Sequence, residues 1–237
     1  MTHQTNQNMN YMTLITSIIK TPDTALSYWH TRSIYSPETR FKQVKYTIQT
    51  VRTKIPQSKI ILVECSPLSP EQTQYFQTNT DYFINLYDNI DERLNIYSPS
   101  KALGEGTMTK AAFQYLFENN ILYDSLFKIT GRYWLNEYFD LKQIENLQPP
   151  ETPTKSVVKF IDQDPTNCLT SLYYLTYTHS ILWYEYLLQS TDKMIDCKNY
   201  EHIFVDFLNT LHKDEYHSLD RIGVSGTWAP TGDVVDQ

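Results

Sequence analysis

Apolar positions recur along this chain in two alternating rhythms. Residues 11–20, YMTLITSIIK, are apolar and β-branched almost without interruption, the pattern of a strand buried on both faces. A loop with Pro22 and Pro37 comes next. PETRFKQVKYTIQTVRTKI then sets Phe41, Val44, Ile48, Val51 and Ile55 at steps of three and four, one face of a helix whose first turn suits Pro37 and Glu38. KIILVECS, 59–66, is a second buried strand closed by Pro67; PEQTQYF opens another helix, and DYFINL is a short apolar piece. SPSKALGEGTMTKAAFQYLFEN carries Ala111, Ala112, Tyr115 and Leu116 at helical spacing and leads straight into the strand SLFKIT. This order predicts an α/β fold: a single domain with a mostly parallel central sheet and helices on both faces.

The rhythm breaks at ENLQPPETPTKS, 145–156, which reads as a loop between two halves, since the C-terminal stretch beyond it is too short to fold alone. In that stretch SVVKFI and LTSLYYLTY read as strands, and ILWYEYLLQSTDKMI and YEHIFVDFLNTLHK as amphipathic helices. RIGVSGTWAPTGDVVDQ reads as a loop-rich tail with one short strand, either a lid over a ligand or a plain surface tail. Residues 1–10 form a polar leader.

Composition narrows the function. The 237 residues are 41% apolar, enough for a full core, and carry a formal charge of -7 from 27 acidic and 20 basic residues. That balance gives no bulk attraction for nucleic acid or an anionic membrane surface, so any phosphate must be met by local cations. Cys65, Cys168 and Cys197 cannot all pair and lack CxxC spacing, which fits a reducing compartment and excludes a cysteine-based zinc site. With no signal-peptide pattern and no bilayer-length apolar run, no membrane insertion and a cytoplasmic location are expected, the host cytoplasm if the chain is viral. Nineteen tyrosines against six glycines read foremost as the codon bias of an AT-rich genome, with aromatic platforms for sugars or bases as the alternative.

Open α/β sheets bind ligands beyond the carboxyl ends of their strands, so the candidates are Ser17 to Lys20, Glu64 to Ser66 and Gly131 to Tyr133. Glu64 reads as an acceptor for a ribose or base edge, or as a solvated or capping carboxylate. In SKALGEG, Lys101, Gly104 and Glu105 open a helix whose glycines permit close backbone approach, a natural anion site without the GK[ST] of a Walker loop. Arg132 beside Lys128 and Lys101 could form a diphosphate pocket in place of a metal ion, or Arg132 simply pairs with a surface carboxylate. Asp162 and Asp164 in FIDQDPTN read as a weak metal pair or as a turn. NYEHIFVDF supplies Glu201, His202 and Asp206 as candidate bases, or as carboxylates that favour a helix N-terminus. His179 reads as an acceptor contact or a helix-capping residue. Trp134, Trp183 and Trp228 read as sugar-stacking rings or core.

Taken in order, TRSIYSPETRFKQVKYTIQTVRTKIPQSKIILVECS, SKALGEG, FKITGRYWL, YEHIF and IGVSGTWAPTG resemble a family of small glycosyltransferase-like proteins of the GT-A type, known from bacteria and large DNA viruses, over about residues 11–235. The resemblance implies a GT-A-like, Rossmann-like fold with a donor half, 11–145, and an acceptor-side half, 146–237. It implies a nucleotide diphosphate-sugar donor on Ser17, Arg40, Glu64, Lys101, Gly104, Glu105, Lys128, Gly131, Arg132 and Tyr133. A glycan or glycoconjugate acceptor is implied too, with Glu201 as base, His202 in support, and inversion of the sugar. GT-A strands usually end in Asp-x-Asp, which binds a divalent metal, whereas here Thr130, Gly131 and Arg132 stand at that place. Because Arg132 would repel a hard cation, no required cofactor is expected, with Mn or Mg as the alternative. Two further readings stay open: a catalytically inactive nucleotide-sugar or glycan binding module, and a metal-dependent nucleotidyltransferase.

Overall fold

The computed structural model describes residues 9–147 and 155–237. Most of the polar leader, 1–8, and the proline-rich centre of the expected inter-half loop, 148–154, lie outside the described residues.

The strands are β1 (Tyr11–Ser17), β2 (Lys59–Glu64), β3 (Tyr82–Asn85), β4 (Ser125–Thr130), β5 (Tyr133–Leu135), β6 (Ser156–Val158), β7 (Leu172–Thr176), β8 (Tyr216–Ser218), β9 (Val224–Thr227) and β10 (Val234–Asp236). Seven of them form one sheet in the order β3-β2-β1-β4-β7-β6-β8, in which β7 alone runs against its neighbours. The other three form a small sheet, β10-β9-β5, so the expected tail contributes two paired strands.

The helices are α1 (Pro37–Lys54), α2 (Pro70–Asn79), α3 (Ile90–Tyr97), α4 (Lys101–Glu118), α5 (Leu141–Asn146), α6 (Tyr177–Gln189), α7 (Thr191–Ile195) and α8 (Tyr200–Leu208). α1 begins where its sequence says it should. The Ser36 hydroxyl accepts from the Thr39 N–H, Pro37 fills the first turn, and Val44, Ile48 and Val51 are buried. α3 shows no period in the sequence: only Ile96 is buried along it, too weak a stripe to read. The run ILWYEYLLQSTDKMI is two helices, α6 and α7, divided at Ser190.

The central strands are apolar on both sides because helices cover both sides. Met12 and Leu14 of β1 and Leu126 of β4 pack with α4, α6 and α8, while Tyr11, Ile15, Phe127 and Ile129 pack with α1, α2 and α5. Trp183 lies wholly buried against Tyr173, Phe204 and Phe207, and side chains of this size are worth about 1.5–3 kcal/mol each when removed from water. Both apolar clusters draw on residues before and after the 148–154 segment, so the chain folds as one domain. β1 stops at Ser17, short of the expected Lys20. Side chains divert the backbone there: the Ile19 N–H donates to Glu64 and the Ile18 carbonyl accepts from Arg40.

The small sheet lies against α1 through β5. Tyr133 faces Gly226 across the β5·β9 pair, and a Cβ at residue 226 would sit 2.2 Å from the Tyr133 ring. Gly226→Ala is expected to destabilise the fold by about 1–3 kcal/mol through overpacking, read as a lower midpoint in denaturant unfolding. An unchanged midpoint would mean that the ring moves freely.

Candidate functional site

The connections of the central sheet diverge between β1 and β4, since β1 leads outward through β2 to β3 and the chain then returns to start β4. An open α/β sheet leaves a crevice at such a point, beyond the carboxyl ends of its parallel strands. β7 is antiparallel, so its beginning, Thr170 and Ser171, reaches the same edge; the Thr130 N–H donates to the Ser171 carbonyl.

A cavity of ≈ 570 Å³ opens at this edge, with Lys101, Glu105, Arg132, Tyr133, Glu201 and His202 in its lining. A second pocket of ≈ 80 Å³ lies beside it, lined by Ile18 and Thr21 from the loop after β1 and by Arg40 and Gly104. The two share Tyr28, Lys101, Glu105, Arg132 and Trp228.

The pleat decides which charges meet. Even-numbered residues of β1 and β4 face α4, so Thr16 and Lys128 point at the helix that carries Glu105. Lys128 Nζ lies 2.5 Å from Glu105 and donates to Thr130 Oγ1 and to the Thr170 carbonyl, each at 2.8 Å. Thr16 also donates to Glu105, at 2.7 Å. Burial disfavours the charge on Glu105, but the Lys128 ammonium and the Thr16 hydroxyl outweigh it, so its carboxyl sits below its usual range. Lys128 is 0% exposed and does not reach the cavity. The cation expected to touch a diphosphate is instead the internal partner of Glu105.

Lys101 occupies the first position of α4, where a cation opposes the helix dipole, and no acidic residue offsets it in that turn. Its Nζ pairs with Glu201 Oε1 at 2.9 Å. The Thr170 hydroxyl donates to the same oxygen at 3.1 Å. Burial pushes the Glu201 carboxyl up, and Lys101, with Thr170 and the start of α8, more than reverses this and holds it at about 2. His202 stands next to it, exposed at the rim.

Arg132 comes directly after Gly131, whose N–H donates to the Thr16 carbonyl at 2.8 Å. A Cβ at residue 131 would sit 3.0 Å from Ser17 and 3.1 Å from Thr16 and Val44, so the missing side chain lets the end of β4 close against β1. Arg132 Nε donates to the Thr227 carbonyl at 3.1 Å, and its guanidinium lies 5.2 Å from the Tyr133 ring centre. No carboxylate pairs with it among the described residues.

Other candidates frame the cleft from behind. Glu64 is buried, accepts from the Ile19 and Cys65 N–H groups and from the Ser66 hydroxyl, and is pushed upward by burial. Ser17 is buried beside it in the strand register. Arg40 donates to the Ile18 carbonyl and to Ser33 Oγ. Gly104 packs on the Ile96 backbone, 3.0 Å from where a Cβ would be, which brings α3 against α4.

Three sets of candidates lie wholly or partly outside the cavity. Asp162 and Asp164 are exposed, and Asp164 accepts the Thr166 N–H and hydroxyl as a turn does. His179 lies at the opposite edge, because β7 runs antiparallel and carries the residues after it away from the cleft; it bonds Ser156 instead. Trp183 is core, and Trp134 pairs with Tyr46 outside the cleft, while Trp228 lines the cavity and meets Trp29 at 5.1 Å. Tyr28 and Thr170 carry no signal in the sequence that singles them out. Thr170 comes within reach of the strand-end rule once β7 is known to be antiparallel, whereas Tyr28 lies in a loop without periodicity.

The residues present do not fit a divalent metal. The end of β4 offers Thr130, Gly131 and Arg132, the bordering carboxylates Glu105 and Glu201 are each paired to a lysine, and no group of three or more metal-ligating side chains occurs among the described residues. Nor is any helix among them long and apolar enough to cross a membrane.

No protein-family model and no curated protein sequence matches the chain. Solved structures do. Core-mannan synthase A from Aspergillus fumigatus, in its Mn/GDP form, superposes with a TM-score of 0.54 at 8% identity, covering 92% of this chain and 74% of that one. CTP:phosphocholine cytidylyltransferase from Streptococcus pneumoniae gives 0.51 at 10% identity over 93% and 95%. A glycosyltransferase involved in glycosylation of the major capsid of PBCV-1 gives 0.51 at 9% identity over 89% and 81%. The likeness is one of fold: this chain has the GT-A-like arrangement, with a mostly parallel sheet between helices.

Two outcomes are expected for the charges. Glu105→Ala strands the Lys128 ammonium in the interior and should remove about 3–5 kcal/mol in denaturant unfolding, whereas Asp206→Asn, at a far more exposed pair, removes under about 1 kcal/mol. Because the Glu201 pKa is depressed from 4.5 to about 2, its contribution is full above 4.5 and is lost as pH falls through about 2. Thermal unfolding of wild type and Glu201→Gln should therefore differ least at the acid end, and a difference constant with pH would contradict the pairing.

Proposed function

We propose that the protein is a glycosyltransferase that moves a hexosyl or deoxyhexosyl group from a nucleoside diphosphate sugar to a hydroxyl of a glycan or glycoconjugate, inverting the sugar and requiring no metal. The observation that carries this is Arg132, a guanidinium without a carboxylate partner among the described residues, held at the sheet's switch point beside Lys101 and the start of α4. A cleft with positive charge left over after its internal pairs are counted is built for an anion, and a planar guanidinium suits a phosphate. The GT-A-like fold, shared with core-mannan synthase A and with the glycosyltransferase of the PBCV-1 capsid, supports a sugar nucleotide as that anion.

In this reading residues 11–145 hold the donor and 146–237 present the acceptor. Tyr28 and Trp228 flank the sugar nucleotide, and Tyr133 supports Arg132 from below. The acceptor hydroxyl gives its proton to Glu201 as its oxygen bonds to the anomeric carbon. The bond from that carbon to the diphosphate breaks, its electron pair leaves with the diphosphate, and Arg132 and Lys101 meet the developing charge. His202 at the rim orients the acceptor.

A second reading, a nucleotidyltransferase, draws on the likeness to the cytidylyltransferase, which covers 95% of that chain. It requires a triphosphate and a divalent metal, and the carboxylates here are committed to lysines.

Isothermal calorimetry with UDP, GDP and dTDP in the presence of a chelator tests the reading. One of them should bind wild type without metal, and Arg132→Ala should weaken it by about 1.5–3 kcal/mol, with Asp162→Asn/Asp164→Asn leaving turnover nearly intact. Binding that depends on magnesium and a triphosphate would favour the second reading, and unchanged affinity in Arg132→Ala would remove Arg132 from the site.

A further inference from the structure

The cleft contains two lysine–glutamate pairs that differ in how readily they can part. Lys128 and Glu105 have side chains 1% and 11% exposed, with Lys128 also bound to two oxygens of the strand ends. Separating them leaves an ammonium inside the protein without a counter-charge. Lys101 and Glu201 have side chains 34% and 22% exposed and both line the cavity. Either can turn to a new partner without leaving solvent-accessible space. The exchangeable pair also joins the two groups that the proposed reaction needs apart: a cation for the departing diphosphate and a free carboxylate for the acceptor proton.

We infer that the Lys101–Glu201 pair is a donor-operated latch: a bound nucleoside diphosphate draws Lys101 away from Glu201 and so frees the carboxylate to receive the acceptor proton. The inference rests on the proposed donor role of the cleft and adds an order to it, with donor before acceptor. Lys101 is here a positioning residue for Glu201 as well as a ligand of the phosphate.

Several features of the site favour the exchange. Lys101 stands at the positive end of α4, a place the helix dipole disfavours for a cation and the Glu201 carboxylate offsets, and a diphosphate is a stronger anion for that place than a single carboxylate. Arg132 lies near enough for its charge to oppose that of Lys101, a repulsion that a shared diphosphate would relieve. Glu201 does not need Lys101 in order to stay in place. Thr170 donates to it from the start of β7, and it sits in the first turn of α8, where a carboxylate is favoured. The groups facing it are Lys101 from α4, Thr170 from the approach to β7, and its neighbour His202, with Cys168 behind. Neither Thr170 nor Cys168 carries a positive charge that would take over the role of Lys101.

The latch makes donor and carboxylate compete for one ammonium, and this competition is measurable without turnover. UDP, GDP and dTDP are titrated by calorimetry into wild type, Glu201→Gln and Thr170→Val with metal chelated. Glu201→Gln removes the competitor, so the diphosphate that binds wild type should bind the variant about two- to fivefold tighter, the range of a part-exposed ion pair. Thr170→Val removes the contact that holds Glu201 once Lys101 leaves and should weaken binding, which keeps the test open if Glu201→Gln folds poorly. A merely structural salt bridge predicts equal or weaker binding in Glu201→Gln and unchanged binding in Thr170→Val, and that result overturns the latch while leaving the donor reading standing. If none of the three diphosphates binds wild type, the donor reading and the latch fall together.

Discussion

Lys128 and Glu105 meet 2.5 Å apart between the central strand β4 and α4, with Lys128 wholly buried and Glu105 at the wall of the cavity. The rest of the site is arranged around that contact. It fixes α4 against β4, so that the helix begins at the rim of the sheet and Lys101 is delivered to the cavity. It also removes one cation and one carboxylate from the surface, leaving a shorter set of charges free to act. Buried pairs of this kind seldom add net stability compared with an apolar replacement, but breaking one is costly. Its value here is positional.

The remaining charges are set by that subtraction. Glu201 takes Lys101 in the open part of the cleft, Glu64 is drawn into capping the backbone after β1, and Arg132 is left facing the cavity with a carbonyl and an aromatic ring for company. A protein with a net charge of -7 can thus keep a local cationic site, because the sheet edge sorts charges by depth and not by overall count. The same sorting leaves no set of carboxylates for a hard cation at the end of β4 among the described residues.

Much of the frame was legible along the chain. β1, β2 and β4 are uniform apolar runs because both their faces are covered, and α1 carries a complete stripe with its cap and proline in place. α3 and the small sheet were not legible, since an element with one buried residue or three paired residues leaves too few positions to show a period. His179 follows a strand-like run and so reads as a strand-end candidate, but β7 is antiparallel, and strand direction leaves no mark in the apolar pattern itself.

Local pattern was enough to mark the long central strands, the longer helices, the cation just after β4 and the helix that SKALGEG opens. These are local properties, set by side-chain periodicity and backbone preference over a few residues. Tertiary structure alone decided which charge meets which. Lys101 and Glu201 are 100 residues apart, and Glu105 and Lys128 come together only because the pleat turns even-numbered residues of β4 toward α4. Coulomb attraction acts over a few ångströms of space without regard to separation along the chain, so the partners of a buried charge become known only once the sheet is assembled.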